Sequence, residues 1–71
     1  MADILIDIIA DHFGVDRAQI SENTDVVEEY SPDSLDIMEI IIAYEKATGK
    51  SVPNDLIADL RTPAELVGVA R

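Results

Sequence analysis

Between Pro32 and Gly49 the chain carries one uninterrupted helical signal, and that signal limits the fold more than any other feature. Pro32 disfavours helix at Ser31. Asp33 is a capping residue that can accept from the amide of Leu35 or Asp36. Asp36 adds negative charge to the first turn, where the helix dipole favours it. The pattern runs to about Thr48, with Gly49 as its stop. Residues 34–48 would span about 22 Å. Two apolar stripes run along this helix. Ile37, Ile40, Ile41 and Tyr44 form one, and Leu35, Met38 and Ile42 form the other, interrupted by Asp36, Glu39, Ala43 and Glu45. A chain of 71 residues cannot bury both stripes fully. The first is expected to face the core, with Tyr44 inside it, and the second to meet a partner. A central helix wrapped on most sides is the alternative.

The other segments are shorter. Leu5, Ile8, Ile9 and Phe13 recur at helical spacing, widened by Ile4 and Ile8, while Asp3, Asp7 and Asp11 mark a wet face. A first helix over about 3–13, stopped by Gly14, follows. A long connection runs from Val15 to Pro32 and contains turn-forming Ser21, Asn23, Thr24, Asp25 and Ser31. Val15, Ile20, Val26 and Val27 are its apolar residues and are expected to pin it onto the helices. Glu28 and Glu29 read as a solvated loop face. Val52 to Leu60 reads as a short turn or helix. Thr62-Pro63-Ala64-Glu65 is a capping box with Pro at the first helical position. A last helix should run from there to the chain end, burying Leu66, Val67 and Val69. The expected fold is all-α: a four-helix bundle of three main helices and one short one, with a long loop between the first and second, forming a single domain over 1–71.

Composition removes several functions. The net charge is −10, from 15 acidic and 5 basic residues, which argues against nucleic acid and favours partners with basic surfaces. Cysteine is absent, so there is neither a disulfide nor a thiolate metal site. No apolar run approaches the roughly 20 residues needed to span a bilayer. Met1-Ala2-Asp3 lacks the basic start of a signal peptide, so a cytoplasmic location is expected. His12 reads as a half-exposed structural side chain, and Asp11 with His12 does not make a metal site. Without an acid–base or metal constellation, an enzyme is the least expected reading.

Asp33-Ser34-Leu35-Asp36, at the start of the long helix, resembles the acyl carrier protein family. In those four-helix domains an Asp-Ser-Leu triplet opens the second helix after a long first loop. Chain length, acidic balance, Glu39, Glu45, Val52-Pro53 and Leu60-Arg61-Thr62 extend the resemblance over essentially the whole chain. It implies that Ser34 carries 4′-phosphopantetheine through a phosphodiester, installed by a phosphopantetheinyl transferase. The arm's thiol would hold acyl or aminoacyl groups as thioesters for loading and processing enzymes with basic surfaces. Ser34 lacks a Gly-x-Ser-x-Gly elbow and a nearby sequence histidine, so it reads as a substrate and not a catalytic nucleophile. Partner docking is expected at Asp33, Leu35, Asp36, Met38 and Ile42. Cargo shelter is expected among Ile37, Ile40, Leu56, Ile57 and Leu60. Arg61 is expected to anchor the turn between the third and fourth helices, and the carrier to act as a monomer.

The chain also departs from the family. Ser31-Pro32 stands where a small residue or Gly is usual, Thr48 where a large apolar residue is usual, and Lys46 where an acid is frequent. Lys50 adds a second positive charge, and the last helix is short. These differences point to a specialised carrier with dedicated partners rather than the general fatty-acid carrier. An unmodified helical adaptor, docking through the same helix, is the rival. A carrier domain cut from a larger synthase is disfavoured by the Met1 start and the lack of linker residues.

Overall fold

The computed structural model describes residues 2–53 and 61–71. The described residues form four α-helices and one 3₁₀ turn: α1 (Asp3–Phe13), the 3₁₀ turn (Arg17–Gln19), α2 (Val26–Tyr30), α3 (Ser34–Thr48) and α4 (Pro63–Val69). α1 packs chiefly against α3 and more lightly against α4. The expected all-helical bundle and the bounds of α1 and α3 are therefore observed. The short element expected over Val52–Leu60 lies largely outside the described residues.

The core is aliphatic. Leu5, Ile6, Ile9 and Ala10 of α1 meet Ile40, Ile41 and Tyr44 of α3, with Leu66 of α4 closing one end. The buried face of α1 differs from the sequence expectation. It is centred on Leu5 and Ile9 with Ile6 and Ala10 beside them, while Ile4 is exposed and Ile8 half-buried. A helix of this length has room for one apolar face. Contact with α3 decides that Ile6 belongs to it, which periodicity could not do. Gly14 and Gly49 end α1 and α3 in the left-handed conformation, at φ 68° and 73°. Thr48 reinforces the second stop. Its hydroxyl donates to the Tyr44 carbonyl at 2.8 Å and accepts from the Lys50 amide. A polar residue in the last turn thus has a local role.

The long connection is structured. Val26–Tyr30 forms a five-residue helix, capped by Asp25, whose carboxylate accepts from the Glu28 amide at 3.1 Å. Glu28 and Glu29 are exposed as expected, but on a helix and not a loop. Ile20 and Val26 are buried and Val15 packs against the core, so three of the four expected anchors do hold this segment, with Val27 half-buried beside them. Backbone bonds complete the attachment. The Val26 amide donates to the Arg61 carbonyl and the Ala64 amide to the Glu22 carbonyl, both at 2.9 Å. Arg61 also pairs through Nε with Asp25 at 2.9 Å. It anchors the start of α2 to the start of α4, rather than only the turn before α4.

α4 begins with the expected box: Thr62 accepts from the Glu65 amide, and Glu65 accepts from the Thr62 amide. It ends at Val69, short of the chain end. The Arg71 amide donates to the Ser51 carbonyl, and the Ser51 amide donates back to Arg71, drawing the last residues into extended backbone. Leu66 is buried, while Val67 and Val69 are only half-buried against the core. Val52 is buried, and its amide donates to Glu45 at 2.8 Å, a tether not legible in the sequence.

Candidate functional site

Ser34 is exposed at the first position of α3. Asp33 caps the helix, its carboxylate accepting from the Asp36 amide at 2.8 Å. Asp36 returns the bond, accepting from the Asp33 amide at 3.1 Å. This reciprocal box goes beyond the single cap expected from the sequence and fixes the backbone on both sides of Ser34. First-turn amides and the helix dipole favour an anion at such an end. Ser34 therefore offers a primary alcohol, open to solvent, where a phosphodiester would be stabilised and not sterically excluded.

The two stripes separate as expected. Ile40, Ile41 and Tyr44 are buried and Ile37 half-buried. Leu35, Met38 and Ile42 are 68%, 50% and 46% exposed, so the wrapped-helix alternative does not hold. The open stripe begins beside Ser34 and runs down α3, with Asp33 and Glu39 exposed around it. Burying large apolar residues is the usual outcome for a small chain, and here three in line are left in water.

Behind α3 lies a cavity of about 50 Å³, lined by Ile37 and Ile40 together with Leu5, Ile9, Val26 and Leu66 among the described residues. Of the residues expected to shelter cargo, Ile37 and Ile40 line this cavity. Leu56, Ile57 and Leu60 lie outside the described residues. Pro32, Arg61 and Pro63, at the starts of α3 and α4, also border it.

His12 has a partner that the sequence did not reveal. Its Nε2 lies 2.8 Å from Asp36 Oδ1, and its Nδ1 3.8 Å from Glu39 Oε2. Ionised Asp36 only accepts, so Nε2 carries the proton. The His12 side chain, and after it the Asp33 amide, holds the Asp36 carboxyl below its ordinary value. His12, Asp36 and Glu39 each present one possible ligand atom, all within 4.8 Å of one another. The ring turns a different nitrogen to each carboxylate, and only the Asp36 contact is short enough for a hydrogen bond. Nothing in the periodicity of α1 signals this pair, because it joins residues 24 apart in the chain.

The chain matches the family described as "Phosphopantetheine attachment site" over residues 3–70. It is 36% identical over 61 residues to an acyl carrier protein of Lactobacillus acidophilus, covering 86% of this chain and 76% of the relative. It is 33% identical over 60 residues to an acyl carrier protein of Sinorhizobium fredii, covering 84% of this chain and 77% of the relative. Fold, exposed helix-start serine and these matches define a phosphopantetheine carrier. The chain belongs to the acyl carrier protein family, and its prosthetic group is covalent 4′-phosphopantetheine. Among the described residues, no helix is long and apolar enough to cross a membrane.

Proposed function

We propose that Ser34 is the attachment residue, and that the protein is a specialised carrier presenting acyl or aminoacyl thioesters to dedicated partner enzymes. The observation that carries this reading is an exposed serine opening α3 beside an open apolar stripe, in a chain of this family. In the loading step Ser34 Oγ forms a new O–P bond to the phosphopantetheinyl phosphorus of coenzyme A. The pyrophosphate P–O bond breaks, 3′,5′-ADP leaves, and the serine proton passes to a base on the transferase. Leu35, Met38 and Ile42, framed by Asp33 and Asp36, form the docking face for transferase and processing enzymes alike. Negative charge around an apolar centre suits partners with basic surfaces, because charge speeds encounter while burial of the stripe holds the complex. Ile37 and Ile40 line the cavity that would shelter the cargo.

The docking end and the far end of α3 differ in charge. Lys46 and Lys50 are exposed near its C-terminus, where the helix dipole favours cations. A partner selected by a uniformly acidic helix would meet repulsion there, which supports a dedicated partner set.

Incubation with a broad-specificity phosphopantetheinyl transferase, coenzyme A and Mg²⁺, followed by intact mass, tests the attachment. Wild type gains one phosphopantetheine, and Ser34→Ala gains none. A variant that still gains it would move the site elsewhere, and an unmodified wild type would favour the adaptor reading.

A further inference from the structure

The backbone that bears Ser34 is attached at both ends to the last turn of α1. Upstream, the ring of Tyr30 stacks on Phe13, with centroids 4.9 Å apart and planes inclined by 11°. Downstream, Asp36 bonds to His12 at 2.8 Å. His12 and Phe13 are consecutive and meet edge to face at 5.0 Å, so the two attachments brace each other. Both oxygens of Asp36 are committed. Oδ1 takes His12, and Oδ2 takes the Asp33 amide that closes the cap over Ser34.

We propose that His12 is a positioning residue for the loading of Ser34. It acts through Asp36. With its side chain only 20% exposed, the imidazole fixes the Asp36 rotamer from outside α3, and the fixed carboxylate holds Asp33 and the first turn in register. Without it, Oδ1 faces water, Asp36 is free to rotate, and the helix start that carries the hydroxyl can fray. A hydroxyl must meet a phosphorus in line, so small displacements of its backbone act on the rate. Glu39, 3.8 Å from Nδ1 and mostly exposed, contributes an ion pair only when the ring is charged. The inference rests on Ser34 being the attachment residue.

The test compares wild type, His12→Ala and His12→Gln in transferase kinetics on the full chain, with coenzyme A and Mg²⁺, followed by intact mass. His12→Ala should lower kcat about five- to tenfold, the scale of one ordinary hydrogen bond, because the Asp33 amide still holds the other Asp36 oxygen. Its KM for the carrier should stay within about twofold, since Met38 and Ile42 lie beyond the first turn and keep their exposure, and its end-point mass gain should equal that of wild type. Glutamine still offers an N–H to Asp36 and should return kcat to within about twofold of wild type. By amide exchange, Asp33 and Asp36 should lose protection in His12→Ala while Ile40 and Ile41 keep theirs. An unchanged kcat in His12→Ala overturns the proposal, as does a His12→Gln variant as slow as the alanine. Loss of protection at Ile40 and Ile41 as well would make His12 merely structural. If wild type itself gains no mass, the attachment reading fails and takes this one with it. If wild type loads and His12 is indifferent, only the positioning role falls.

Discussion

Ser31 is the one non-glycine among the described residues with positive φ, at 45°. It ends α2, donating its amide to the Val27 carbonyl at 3.0 Å, and precedes Pro32. The left-handed region costs an L residue roughly 1–2 kcal/mol, whereas glycine enters it freely but loses more backbone entropy on folding. The strain exceeds the entropy here, so Ser31→Gly should stabilise the fold by about 0.5 kcal/mol, read as a higher urea midpoint. A lower midpoint would mean that the Ser-Pro pair stiffens the approach to Ser34 by more than it strains it. Among the described residues, three carboxyls are held below their ordinary values. Arg61, then the Glu28 amide, lowers Asp25; His12, then the Asp33 amide, lowers Asp36; the Arg61 and Thr62 amides lower Glu65. Because their folded values lie below the unfolded ones, the unfolded chain binds protons first as pH falls. Their stabilisation is complete above the ordinary carboxylate values, 3.8 for Asp and 4.5 for Glu. It is lost as pH drops through that range and below. With the repulsion among the other acids screened by NaCl, urea midpoints should hold from about pH 6 to about pH 5 and then fall toward pH 3. A midpoint that stays level to pH 3 would show these bonds to be worth nothing in solution.

At the scale of elements, α3 does two jobs with opposite faces. Its inner face supplies Ile40, Ile41 and Tyr44 to the core, and its outer face leaves Met38 half in water. Met38→Glu should therefore shift stability by less than about 0.5 kcal/mol while clearly slowing phosphopantetheine transfer. A large fall in melting temperature would place Met38 in the core and remove the docking face. α2 shows the reverse dependence. Five residues cannot hold a helix alone, since nucleation is unfavourable and each turn adds little. It persists because Val26 is buried, Asp25 caps it and Arg61 ties its start to α4.

At the scale of the molecule, 15 acidic against 5 basic residues make the compact state self-repelling. Arg17 and Arg61 offset part of this, through Asp7 at 3.1 Å and Asp25 at 2.9 Å. Such exposed pairs are individually worth little, and the unbalanced acids dominate. Added NaCl screens over a Debye length of about 8 Å at physiological strength, so melting temperature at pH 7 should rise from low to moderate salt. A flat or falling trend would show the acids to be spaced widely enough to ignore one another. Partner association should weaken over the same range.

The sequence by itself determined α1, α3, the start of α4, the two stripes of α3 and the position of Ser34. Each of these rests on interactions within one turn or a few residues: caps, glycine stops and 3.6-residue periodicity. Tertiary structure alone decided that Ile6 and not Ile4 enters the core, and that Val26–Tyr30 coils into a helix. It also placed Arg61 on Asp25, tied the chain end to Ser51, and brought His12 to Asp36. Those outcomes depend on which surfaces meet. Side-chain partners separated by 24 or 36 residues leave no local pattern, because neither residue's neighbours in the chain change when the two are brought together.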